Sequence, residues 1–108
     1  MSKSMNVNSN DRLDGWCIEE DTRHAIIARR NVLAALWAGN LLGKRGGDLE
    51  RYAREVHSAD FEVPGDSDVV AKLRHDLIAA GLHKEAATVR ARLSGFQKQA
   101  WRENVATD

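Results

Sequence analysis

Apolar positions in this chain recur at helical spacing, and the longest such stretch, IIARRNVLAALWAGNLLG, runs from Ile26 to Gly43. Ile26, Leu33, Trp37 and Leu41, with Leu36 and the alanines beside them, predict one broad helix face that must be buried. Arg29, Arg30 and Asn31 interrupt that face in mid-helix. Gly43, followed by Lys44, Arg45, Gly46 and Gly47, reads as a stop with basic residues at the negative end of the dipole. Glu19, Glu20 and Asp21 suit a positive first turn, so the helix is expected to start near Glu19 and to form a spine about 35 Å long.

Asp48 and Glu50 open a second helix through about Glu62, with Leu49, Tyr52, Ala53, Val56 and Ala59 on its inner face. Val63-Pro64-Gly65 is the strongest breaker, and Asp66, Ser67 and Asp68 offer caps for a third helix with Val69, Val70, Leu73, Leu77 and Ile78 inside and Gly81 at its end. A fourth helix from about Lys84 carries Ala86, Val89, Leu93, Phe96 and Ala100, and Gly95 within it predicts a close helix approach or a bend. Before the first helix, Met1 to Gly15 is polar and asparagine-rich, which predicts a mobile arm, while Trp16, Cys17 and Ile18 form a small apolar knot. Trp16 either docks back on the domain or anchors the arm in a partner. The pattern predicts an all-α protein: a flexible N-terminal arm over residues 1–18 and a four-helix bundle over 19–105.

Composition narrows the function. The 108 residues suit one domain, and sixteen basic against sixteen acidic residues remove any general pull toward nucleic acid or an acidic membrane surface. The single cysteine, Cys17, cannot close an internal disulfide, and no leader or long uncharged run stands out, so a cytoplasmic protein without direct membrane insertion is expected.

The candidate chemistry is thin. His24, His57, His75 and His83 are scattered, none at metal-ligand spacing, and read as surface residues; no metal site is expected. Cys17 lies beside acids, which disfavour a thiolate nucleophile, and no nucleophile, base and orienting group recur together, so an enzyme is not expected. Asp60, Glu62, Asp66 and Asp68 resemble a calcium loop only in acidity, because Pro64 and Ala71 occupy ligand positions; helix capping accounts for them. Gly43-Lys44-Arg45-Gly46-Gly47 follows a helix instead of opening one, which favours a cap and linker over a phosphate loop. Lys84, Arg90, Arg92, Lys98 and Arg102 read as a solvated face of the fourth helix, with a partner-facing patch as the alternative. The two guanidiniums of Arg29 and Arg30 diverge by about 100 degrees, so at least one lies near the bundle seam. It either covers apolar surface while pairing with Asp60 or Asp76, or holds an anion or nucleotide phosphate.

The segments Ala28-Arg29-Arg30-Asn31, Leu36-Trp37-Ala38, Leu42-Gly43, Tyr52-Ala53-Arg54-Glu55-Val56 and Ala59-Asp60-Phe61-Glu62 are familiar in their order and spacing. Across roughly Arg23 to Gly81 the chain resembles the alphaproteobacterial zeta subunit family of the F-type ATP synthase. The resemblance implies a cytoplasmic four-helix bundle, peripheral to the inner membrane and monomeric when free. It implies binding to the catalytic head of the ATP synthase and inhibition of its ATP hydrolysis. It further implies an ADP/ATP-binding site on the bundle as a regulatory ligand site, with no required cofactor. By the family pattern Arg29, Arg30, Asn31, Tyr52 and Arg54 are the nucleotide-binding candidates, and Asp11, Arg12, Trp16 and Ile18 the partner-binding positions of the arm. Family members inhibit through an N-terminal segment with phenylalanines; Met5 to Ile18 here has none, and Trp16 stands as its aromatic residue. The alternative is a bundle of the same fold that senses nucleotide or acts as an adaptor without inhibiting.

Overall fold

The first stretch forms one continuous helix against which three of the four other helices pack. The computed structural model describes residues 11–60 and 66–107, with side chains described for 22–60 and 66–104. Within them all regular structure is helical: α1 (Asp11–Leu41), α2 (Gly46–Ala59), α3 (Ser67–Ala79), α4 (His83–Ala87) and α5 (Val89–Thr107). α2 and α5 run back along α1, and α3 closes the bundle against α2, α4 and α5. No described helix is long and apolar enough to cross a membrane.

α1 begins at Asp11, eight residues before the expected Glu19, so helical backbone covers the second half of the stretch read as an arm. Residues 1–10, Phe61 to Gly65 and the side chains of Trp16 and Cys17 lie outside the described parts. α1 ends as expected at Gly43, whose φ of +79° is open to glycine without a Cβ penalty. Lys44 N–H donates to Gly39 O at 2.9 Å and Gly43 N–H to Asn40 O at 3.1 Å, the paired bonds that satisfy the last carbonyls. α3 closes the same way, with Leu82 N–H on Leu77 O at 2.8 Å.

The buried stripe of α1 differs from the expected one. Ile26 is buried, but the contact with the other helices is made by Ala34, Ala35 and Ala38, while Leu36 and Leu41 are more than a third exposed. Small residues let α2 approach closely: a Cβ on Gly39 would run into the end of the Leu49 side chain. Tyr52, Val56, Val69, Val70, Leu73, Leu77, Ala86, Val89 and Leu93 complete the core, with Trp37 and Phe96 partly buried at its edge, ring centroids 6.2 Å apart. Each large apolar side chain so buried contributes roughly 1.5–3 kcal/mol before entropy. Ile78, expected inside, is 41 % exposed.

The fourth helix is two. Thr88 Oγ1 donates to Glu85 O at 2.8 Å and its N–H to the same carbonyl at 3.0 Å, a back-bonded β-branched residue that ends α4 and lets α5 restart. The bend expected at Gly95 is therefore at Thr88. Gly95 meets no neighbour within 4 Å and faces solvent.

Candidate functional site

Arg30 sits four residues after Ile26, and Arg30 and Asn31 lie four before Ala34 and Ala35, so the helix carries them onto the buried stripe. Both are almost wholly inaccessible, at 1 % and 0 % exposure. A charge so placed is tolerated only with its donors satisfied. Arg30 Nε and Nη2 donate to Asn31 Oδ1 at 3.1 and 2.9 Å; Nη1 donates to Asp66 Oδ1 at 2.8 Å and to Gln97 Oε1 at 3.1 Å. Asp60 Oδ2 stands 3.6 Å from Nη2 as a second counter-charge. Asn31 turns its amide the other way, Nδ2 donating to Asp60 Oδ2 at 3.2 Å and meeting His57 Nδ1 at 3.1 Å. Both lone pairs of Oδ1 and both hydrogens of Nδ2 are thus used, which sets the amide orientation and makes His57 Nδ1 an acceptor. One network joins α1 to the end of α2, the approach to α3 and the middle of α5.

Of the two acids named for Arg30 from sequence, Asp60 takes that role and Asp76 does not. Asp66, read as a cap, makes no side-chain cap bond and instead accepts from Arg30. His57, read as a surface residue, belongs to the network. Its place 26 residues from Asn31 in sequence left no local signal, and neither did that of Gln97.

The remaining candidates occupy other settings. Arg29 is half-exposed and pairs with Glu103 at 2.7 Å; the hydrogen bonds from Arg29 and Gln99 hold the Glu103 carboxyl below the usual range. Tyr52 is buried on α2, its hydroxyl donating to Asp76 Oδ2 at 2.8 Å. Burial first, then that bond and the charge of Asp76, push the phenol well above its ordinary value. Lys72 lies 3.0 Å from Asp76 and 3.2 Å from Glu55, and approaches the Tyr52 ring to 5.3 Å. Burial pulls its pKa down, but Asp76 and Glu55 outweigh it and the net shift is upward. Arg54 is exposed in a shallow depression with Arg51, Glu55 and Lys72. The five nucleotide candidates are therefore spread over four settings, not gathered into one. The side chains of Asp11, Arg12, Trp16 and Ile18 lie outside the described residues, on the helical start of α1.

A groove of about 1150 Å³ opens between α1, the start of α3 and α5. Ile26, Ile27, Val70 and Leu93 supply its apolar floor, and Trp101, 55 % exposed, one wall. Arg90, Lys98 and Arg102 line it from α5. Among the described residues no group of His, Cys, Asp and Glu is arranged to hold a metal.

A family model described as ATPase inhibitor subunit zeta matches residues 14–103. No curated protein and no solved structure gives a match.

Proposed function

We propose, from the premise that the chain belongs to the ATPase inhibitor subunit zeta family, that it is a regulator which binds the F-type ATP synthase and inhibits its ATP hydrolysis. The observation that carries the reading is the family match, which extends over the bundle and into the helical start of α1. In this reading the bundle docks on the catalytic head from the cytoplasmic side. The segment carrying Asp11, Arg12, Trp16 and Ile18 enters a subunit interface and blocks catalysis sterically. A preformed helix suits that task, because the entropy of ordering it is met before binding. The chain acts on an enzyme and is not one itself. ATP hydrolysis by the cognate head, measured against increasing amounts of the full chain, falls toward a plateau. Unchanged hydrolysis at saturation refutes the reading.

A weak ADP/ATP site on the bundle accompanies this role. Arg29 and Arg54 offer surface guanidiniums for phosphate, whereas a phosphate at Arg30 must displace Asp66 or Gln97. ADP titrated into isotope-labelled protein shifts resonances around Arg29, Arg30, Asn31, Tyr52 and Arg54 if the site is there. Unmoved resonances remove the nucleotide from the account. The lack of phenylalanine between Met5 and Ile18 favours a second reading, a bundle of this family that senses nucleotide or acts as an adaptor without inhibiting. Nucleotide-dependent shifts without any effect on hydrolysis identify that case.

A further inference from the structure

The groove between α1 and α5 is positive in a chain that is neutral overall. Its described lining carries five cations, Arg23, Arg30, Arg90, Lys98 and Arg102, against one carboxylate, Asp66, whereas the whole chain has sixteen bases and sixteen acids. Arg30 is engaged in the buried network with Asp66, but no described carboxylate comes within ion-pair reach of Arg90, Lys98 or Arg102. The residues that α5 gives the groove step by threes and fours from Arg90 to Arg102, so those three cations share one face of the helix instead of spreading around its polar side.

The chemistry of an occupant follows from this lining. Ile26, Val70 and Leu93 floor the groove at 8 % exposure or less, and Trp101, 55 % exposed, offers an accessible aromatic wall between Lys98 and Arg102 in sequence. A bare anion leaves that wall wet. A single-headed amphiphile meets the cations at one end only, because Arg90 and Arg102 lie about 18 Å apart along α5. A bilayer surface is flat and cannot follow a trough between two helices. The ligand that fits has several negative charges along its length and an apolar edge. An amphipathic helix has both, with large apolar anchors on successive turns and Asp or Glu beside them, and a groove between two helices is the shape that receives one. The span along α5 matches about twelve residues of such a helix.

We propose that the α1–α5 groove docks an acidic amphipathic helix of a partner protein, its carboxylates against Arg90, Lys98 and Arg102 and an apolar anchor against Trp101. Trp101 has the properties of a residue that concentrates binding energy: a large apolar ring in a concave site, with charged neighbours that form a polar rim once it is covered. The unpaired cations steer an acidic partner to the groove and set its register. Docking of this helix stands independently of inhibition. Its assignment to the ATP synthase rests on the inhibitory reading: the bundle then holds the catalytic head through this groove.

Fluorescence anisotropy of a labelled helical peptide of about sixteen residues, with leucine at every third or fourth position and glutamate between, tests the groove on the full chain without any ATP synthase. The expected result is saturable binding that weakens with added salt and falls more than about tenfold in R90E/K98E/R102E and in W101A. The same peptide with lysine in place of glutamate is expected to bind R90E/K98E/R102E in preference to the unmodified chain. Circular dichroism checks that each variant is folded. No binding of the glutamate peptide, or binding indifferent to both variants, overturns the proposal. Anionic phospholipid vesicles that bind the chain where the peptide does not also overturn it and assign the groove to a lipid surface. With the ATP synthase head, weaker association of R90E/K98E/R102E than of the unmodified chain supports the assignment to that enzyme, and equal association overturns it. An unmodified chain that does not associate with the head refutes the inhibitory reading and leaves the peptide result standing.

Discussion

At the residue scale the chain depends on a buried arginine with four of its five donors in hydrogen bonds and the Asp60 carboxylate 3.6 Å from Nη2. Removing one member of such a buried charge network costs about 3–5 kcal/mol, because the groups left behind stay desolvated. Arg30→Met is expected to lower the unfolding free energy by that amount in urea titration, and Arg30→Lys to recover little, since an ammonium cannot fill the planar five-donor arrangement. Tyr52 gives a pH signature. Its folded phenol titrates above the unfolded value of about 10, so its contribution is intact below pH 10 and is lost as pH rises beyond it. Lys72, also raised, acts in the same direction. The alkaline fall in urea midpoint is therefore expected to be shallower in Tyr52→Phe than in the unmodified chain. Glu103 works at the opposite end: its folded carboxyl is lowered, so its contribution is present above the ordinary carboxylate range and is lost on acidification.

At the scale of elements, the glycines separate turn chemistry from helix propensity. Gly43→Ala is expected to cost about 1–2 kcal/mol because φ there is positive. Gly95→Ala, in open solvent on α5, is expected to stabilise by about 0.8–1 kcal/mol; thermal midpoints of the two variants move in opposite directions. Such stops were legible in sequence because they are local, and so were the inward faces of α2 and α5, which follow simple steps of three and four. The α1 stripe was not. Leu36 and Leu41 carry more hydrophobicity than Ala34 or Ala38, yet close approach by Leu49 and Tyr52 selects the small residues for the seam. The break at Thr88 was hidden because it arises from one hydroxyl bonding back to Glu85. Of the candidate site, the placement of one of Arg29 and Arg30 at the seam, and Asp60 as one of two possible partners, could be read in advance. The parts played by His57, Asp66 and Gln97 could not, since they depend on where three other helices cross α1.

At the scale of the molecule, the proposed function gives the bundle and the start of α1 separate tasks. Deletion of residues 1–18 is expected to leave the helical signal and cooperative unfolding of the bundle in place while abolishing inhibition of ATP hydrolysis, read by circular dichroism and by the hydrolysis assay. Retained inhibition would move the activity to the bundle surface. The polar network has a different consequence, in the time domain. Arg30 reaches 36 residues forward to Asp66 and 67 to Gln97, separations that place its final contacts among the last that the growing polypeptide can make. Until α5 has left the ribosome, the first three helices hold a hydrated guanidinium where the finished protein has a dry one. The Gln97 contact, and with it the last of the four hydrogen bonds of Arg30, therefore waits for arrival of the last helix.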